Sequence, residues 1–308
     1  MRLETIAEPT AVVQTGHRLA DVPTTSTPPS TVTDHLRVWV DGQLYDHADD
    51  ARIAALDAGV VVGNGVFEAL KVTPQGPFAV RRHLDRLTRS AQALAMPAPD
   101  HALIRTGIEA VLDGRGYAEG KVRITYTAGR GPLGSQAAYG PPSIVVAADQ
   151  RTPAPESAVL VTSPWSRNEH GALAGVKSTS YAENVRNLAY ATERGASEAL
   201  LLNTAGRICE GTGSNIFCVF GSDIVTPPLA SGPLAGITRE LVLEWYAVTE
   251  ADLTLAEAQR ADEVFLTSSL RDVQAVRQWD DAELAAPGPV TKEVAATFTE
   301  RSTAEVEP

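Results

Sequence analysis

Apolar and polar residues alternate over LRVWVDGQLYD, where Leu36, Val38 and Val40 share one face and Asp41-Gly42 supplies a turn, so this stretch predicts a β-hairpin. VVVGNGVFEALKV reads as an apolar loop and then a strand. The period changes in FAVRRHLDRLTRSAQAL, where Leu84, Leu87, Ala91 and Leu94 recur at helical spacing. HALIRTGIEAVLDGRGY predicts a second helix ended by Gly114, and KVRITYTAGRG and SIVVAAD predict strands around a Gly/Pro loop. Two prolines in DQRTPAPESA break the pattern and mark a boundary. Beyond it AVLVTS reads as a strand, and SYAENVRNLAYATERGA as an amphipathic helix with Tyr181, Val185, Leu188 and Thr192 on one side. EALLLN, ICEGTGSNIFCVF, DIVTPP and EVFLTSS predict strands, TRELVLEWYA predicts a helix, and no short internal repeat is present.

This alternation of strands and helices predicts an α/β (α+β) chain. Residues 1–34, rich in Pro, Thr and Ser, are expected to be a flexible extension, followed by a small α/β domain over 35–149, a linker over 150–156 and a larger α/β domain over 157–308. A length of 308 residues suits two such domains, and 44% hydrophobic with 21% charged residues is a globular composition. A net charge of -12 and a pI near 5.0 exclude a phosphate-tracking nucleic-acid binder and suit a cytoplasmic protein. Cys209 and Cys218, without a secretory leader pattern, read as small core residues and not as a disulfide. No apolar run approaches the roughly 20 residues that span a bilayer. The six histidines show no metal-ligand spacing, and the GNG and GTG triplets complete no nucleotide fingerprint.

Lysine is the informative residue. Only Lys71, Lys121, Lys177 and Lys292 occur among 26 basic residues, so arginine is the default cation. An amine, unlike a guanidinium, can lose its proton and attack a carbonyl to form an imine. Lys177 follows Gly175 and precedes a predicted helix, a strand-end position of the kind that displays functional groups. An imine-forming lysine points to pyridoxal phosphate, which requires an acid for its ring nitrogen and an anion hole for its phosphate. Glu210, interrupting an apolar strand ahead of Gly211 and Gly213, fits the first need. For the second, Gly236, Ile237 and Thr238 precede a predicted helix whose free amides suit a phosphate. Thr267, Ser268 and Ser269 end a strand, although Ser269-x-x-Asp272 also matches a capping box. Arg86, on the first helix, is a candidate bidentate cation.

GNGVFEALKV, HLDRLTRSAQAL, VKSTSYAENV, ICEGTGSNIF, PLAGITRE and FLTSSLRDV, in this order, resemble the class IV (fold-type IV) pyridoxal-phosphate enzymes. That group includes branched-chain and D-amino-acid aminotransferases and 4-amino-4-deoxychorismate lyase. The resemblance implies a two-domain fold with the cofactor between the domains and, as is common in the family, a homodimer. It implies Lys177 as the lysine that bonds the cofactor, Glu210 at the ring nitrogen, and Arg86, the Ile237 and Thr238 amides and the Ser269 hydroxyl at the phosphate. Tyr181 resembles a tyrosine near the cofactor ring oxygen. Gly63-Asn64-Gly65 departs from the Gly-Asp-Gly that members often have. Lys71 in FEALKV resembles the D-amino-acid aminotransferases, whereas GRGPLGS and KSTSYAENV look more like the lyase group, and Arg130 could meet a substrate carboxylate. The expected substrate is a small amine or amino acid, and the favoured reaction is release of pyruvate and 4-aminobenzoate from aminodeoxychorismate. Amino transfer is the alternative. A non-catalytic relative is the remote one, opposed by the retention of Lys177, Glu210 and Arg86 together.

Overall fold

The computed structural model describes residues 36–308, so the expected 1–34 extension lies outside the described residues. Asp41 and Gly42 both take positive φ, 47° and 102°, the pairing that a two-residue hairpin needs to match strand twist. They join β1 (Arg37–Val40) to β2 (Gln43–Tyr45) as the alternation predicts. These strands belong to a six-stranded sheet with β3 (Gly65–Thr73), β4 (Gly76–Pro77), β5 (Gly120–Thr127) and β6 (Ser143–Gln150), in the order β2-β1-β6-β5-β3-β4. The short helix α1 (Ala58–Val61) precedes β3, and α2 (Val80–Ala93) and α3 (His101–Leu112) pack their apolar stripes on one face of the sheet.

The helix α2 carries two stripes. Leu84, Leu87 and Ala91 enter the core, while the polar residues His83, Arg86 and Ser90 are also buried, one step round the helix at i, i+3 and i+7. Most of β3 is buried on both faces. The start of β3, on the edge opposite β5, pairs with the segment that holds Lys177, through Phe67 N–H to Lys177 O at 2.9 Å and Thr179 N–H to Gly65 O at 2.8 Å.

The second sheet is mixed. It comprises β7 (Ser157–Arg167), β8 (Glu198–Asn203), β9 (Ile208–Gly211), β10 (Asn215–Phe220), β11 (Asp223–Thr226), β12 (Val248–Glu250), β13 (Glu263–Ser268), β14 (Asp272–Trp279) and β15 (Ala282–Glu283). The order is β12-β11-β10-β13-β14-β7-β8-β9, with β15 on β14. Helices α4 (Ala182–Thr192), α5 (Ile237–Trp245), α6 (Leu255–Ala258) and α7 (Pro289–Ala304) surround it. Cys209 and Cys218 are buried and free, as read. Among the described residues no helix is long and apolar enough to cross a membrane.

Three local expectations are corrected. The predicted single strand ICEGTGSNIFCVF is two strands, β9 and β10, parted by a turn in which Gly211 N–H donates to Ser214 O at 2.7 Å. Ser269 caps no helix: β13 and β14 pair antiparallel through Ser268 and Asp272, so residues 269–271 are a hairpin turn. The helix α4 is inverted relative to its apolar pattern, with Asn184, Asn187 and Ala191 buried and Val185 and Leu188 64% and 41% exposed. The asparagines turn inward because they find fixed partners there. Asn184 accepts from Arg167 at 3.2 Å and donates to Thr212 O at 2.5 Å, and Asn187 accepts from Ser163 at 2.5 Å.

Candidate active site

A cavity of about 500 Å³ opens between the two sheets, lined by Arg86 from α2 and by residues 171–178, Glu210, 212–215, 236–238 and 267–271. It gathers six of the predicted site residues besides Arg86: Lys177, Tyr181, Glu210, Ile237, Thr238 and Ser269. Lys177 is held by its own backbone, with N–H to Ser90 Oγ at 3.3 Å and C=O to Phe67 N–H. Its Nζ lies 4.4 Å from the Phe67 ring centroid and 6.0 Å from that of Tyr181. Burial and the nearby Arg86 charge push its pKa down to about 8, against the opposing pull of Glu68 and Glu210. The amine can therefore shed its proton near neutral pH, which an exposed lysine cannot.

Glu210 is buried at the end of β9, with Oε2 accepting from Leu234 N–H at 2.9 Å and Oε1 3.3 Å from Arg167 Nη2. Burial raises its pKa, while Arg167 and the Leu234 amide hold it down in part. Tyr181 donates to Thr212 O at 3.0 Å and meets Phe67 edge-on at 5.3 Å between centroids. Burial, then Glu210, pushes its pKa up to about 12, so the phenol stays protonated.

The N-terminus of α5 is capped by Gly236, which offers no side chain to its first amides. A Cβ at Gly236 would lie 2.0 Å from Asn215 Oδ1, so any larger residue would have to displace the Asn215 side chain, whose Nδ2 donates to Leu234 O. Beside this turn, the buried Thr267 Oγ1 has no hydrogen-bond partner among the described residues. Arg86 reaches across from α2 to donate to Ala235 O at 2.8 Å, and Ser269 Oγ lies 3.4 Å from His83 Nε2. Uncapped amides, an unpartnered hydroxyl and a guanidinium thus converge on one end of the cavity, the chemistry of an anion site.

Two tentative substrate residues lie elsewhere. Lys71 shares the strand face of Phe67 and Ala69 but lies further along β3, where it is buried in an ion pair with Asp272 at 2.7 Å and bonds Ser302 of α7 at 3.0 Å, and it does not line the cavity. Arg130 is exposed in the loop after β5, bridged through its backbone to Asp57, and does not line the cavity. Sequence reasoning missed the partners: Glu68 behind Arg86, Glu198 behind Arg271, Arg167 beside Glu210, and Arg123, whose Cζ lies 3.9 Å from the Phe67 centroid. A carboxylate inside the apolar strand GVFEALKV was the one available signal for Glu68.

The profile of the family described as Amino-transferase class IV matches residues 65–279. The chain belongs to this family. A Methanocaldococcus jannaschii member, provisionally named a branched-chain-amino-acid aminotransferase, is 30% identical over 85% of this chain and 95% of its own. A Mycobacterium tuberculosis protein named bifunctional aminodeoxychorismate lyase / D-amino acid transaminase is 29% identical over 80% of this chain and 92% of its own. The branched-chain aminotransferase of Thermoproteus uzoniensis, whose crystal structure is described as with norvaline, superposes with a TM-score of 0.80 at 26% identity, covering 86% of this chain and 93% of its own.

The class IV chain is therefore a pyridoxal-phosphate-dependent enzyme of fold-type IV. Its residues fit that cofactor. The unpartnered Thr267 hydroxyl and the uncapped α5 amides suit a phosphate, and an amine of lowered pKa shares the same cavity with a buried carboxylate.

Proposed function

We propose that this class IV enzyme is an aminotransferase acting on α-amino acids with apolar side chains. The observation that carries the reading is the charge state of the cavity wall: each arginine lining it already faces a carboxylate. Arg86 pairs with Glu68 at 2.6 Å, Arg271 with Glu198 at 2.8 Å and Arg167 with Glu210 at 3.3 Å. A substrate that yields both pyruvate and 4-aminobenzoate brings two carboxylates, and the wall offers it no unneutralised guanidinium. An amino acid brings one. Arg123 does not line the cavity itself, but it stacks on Phe67, the ring that Lys177 Nζ meets, and, without a carboxylate partner among the described residues, it suits a single carboxylate. The neighbours of Lys177 Nζ are the Phe67 and Tyr181 rings, which suit an apolar side chain. The norvaline described with the T. uzoniensis relative agrees in kind.

Pyridoxal phosphate, when bound, supplies the electron sink that makes the carbon next to a substrate amine acidic. In this reading Lys177 would hold the cofactor through its amine, and the same amine would move a proton at that carbon as general base and acid. Glu210, as an anion, holds the proton on the ring nitrogen. Arg86, the Ile237 and Thr238 amides and the Thr267 and Ser269 hydroxyls hold the phosphate, and Tyr181 stands at the ring.

Lyase activity is the second reading, favoured by the name of the M. tuberculosis relative. The deciding experiment gives the holoenzyme L- and D-leucine, valine, norvaline and alanine with 2-oxoglutarate or pyruvate, and separately aminodeoxychorismate. Amino transfer from the apolar donors with no 4-aminobenzoate is the expected result. Release of pyruvate and 4-aminobenzoate without amino transfer would overturn it.

A homodimer completes the proposal. Leu133 and Tyr139 are 81% and 71% exposed, and Val60, Val62 and Val185 are exposed as well, apolar side chains of the kind an interface between copies covers. A second copy of the chain would cover them. Light scattering on the purified protein is expected to give twice the 32.6 kDa chain mass, and a monomer at micromolar concentration would remove this part of the reading.

A further inference from the structure

The carboxylate of Glu68 is 0% exposed, in the middle of β3, and makes three hydrogen bonds. Its Oε1 accepts from Arg86 Nε at 2.8 Å, and its Oε2 accepts from Arg86 Nη2 at 2.6 Å and from His83 Nδ1 at 2.7 Å. Burial alone would raise its pKa, but Arg86 and His83 outweigh that and hold it at about 2, so it is an anion and only accepts. The two residues it holds reach the other sheet by separate routes. Arg86 Nη1 donates to Ala235 O, one residue before the Gly236 cap of α5, and His83 Nε2 faces Ser269 Oγ in the β13–β14 turn.

Donor counting shows what this leaves. A guanidinium has five N–H groups. Two of those on Arg86 go to Glu68 and one to Ala235, leaving one on each terminal nitrogen. The fork is fixed on its Nε side by a bidentate pair, so its rotation is set by Glu68 and not by whatever it grips. His83 is fixed likewise: its Nδ1 proton goes to Glu68, which presents Nε2 to the Ser269 hydroxyl.

We propose that Glu68 is the positioning residue of the anion site, a single buried carboxylate that aims Arg86 at the first turn of α5 and His83 at Ser269. The proposal rests on the reading of that site as the seat of the cofactor phosphate. Glu68 touches no cavity surface itself, so it acts through Arg86 and His83.

The test compares two ligands that differ only in the phosphate. Pyridoxal phosphate and pyridoxal are titrated into the apoprotein by absorbance, for wild type, Glu68→Gln, Arg86→Met and the double variant. Glu68→Gln keeps the shape of the side chain but places an NH₂ against the donors of Arg86 and His83. It is expected to weaken pyridoxal phosphate at least tenfold and pyridoxal less than twofold, and to add less in the Arg86→Met background than in wild type, where only the His83 arm remains to be lost. Glu68→Asp, which keeps the charge on a shorter arm, covers the case of a Gln variant that does not fold, with a smaller loss of the same selectivity. Equal weakening of both ligands would reduce Glu68 to a structural tie and overturn the proposal, as would full additivity with Arg86→Met. A wild type that does not prefer pyridoxal phosphate over pyridoxal would instead remove the phosphate reading of the site, and the proposal with it.

Discussion

Replacing Lys177 by alanine is expected to give a folded protein whose amino transfer is at least about a thousandfold down and which carries no visible cofactor absorbance through gel filtration. General acid-base catalysis alone is worth about 10²–10⁴-fold, and loss of a covalent nucleophile adds to it. With its pKa near 8, about a tenth of the wild-type amine is neutral at pH 7, so attachment of pyridoxal phosphate to the apoprotein should rise about tenfold per pH unit below 8 and level off above. Stability carries the opposite signature to a salt-bridged lysine. The folded pKa lies below the ordinary 10.5, so between pH 8 and 10.5 the unfolded chain binds more protons and wild-type apoprotein stability rises with pH. The alanine variant should lack that rise in chemical denaturation at pH 7, 9 and 10.5. A variant that keeps the absorbance and turns over at even a tenth of the wild-type rate would remove Lys177 from its role.

Glu210→Gln is expected to keep both fold and cofactor while turnover falls about a hundredfold, the scale of losing one preorganised electrostatic partner. The amide oxygen still accepts from Leu234 N–H, so the end of β9 keeps its anchor. What goes is the anion. A neutral amide cannot hold a proton on a ring nitrogen, and Arg167 loses the charge it faces at 3.3 Å. Single-turnover absorbance changes, followed beside retained cofactor content, separate this effect from simple loss of binding. Unchanged turnover would place the ring-nitrogen function on some other group.

The residues proposed for the covalent centre were legible in the sequence because each is marked locally. A lysine among arginines, a glutamate breaking an apolar strand and a glycine at a helix start each declare themselves within a few residues, and Lys177, Glu210 and Gly236 do line one cavity. The apolar stripe of α2 and the Asp41-Gly42 hairpin were equally direct. The side chains that failed this reading are those whose partners lie far along the chain. Lys71 finds its counter-ion 201 residues away in Asp272, and Arg271 finds Glu198 across 73 residues, so neither neighbour is visible in the local pattern. The helix α4 misled for a related reason: its asparagines face inward because Thr212 and Ser163 supply hydrogen bonds, an energy that a period of apolar residues does not record. The strand β14 and the helix α7 went unassigned, and α7 shows why, since it mixes Thr, Glu, Lys and Ala around its whole circumference.

The glycine cap of α5 has a thermodynamic corollary. A helix whose leading amides no side chain satisfies is a fold completed by its ligand, since whatever anion settles there supplies the missing cap to the folded state alone. At a thousandfold excess over its dissociation constant such a ligand stabilises the native state by about 4 kcal/mol, a large share of the stability of an ordinary domain. Cofactor supply would then govern how long the polypeptide survives as well as how fast it works.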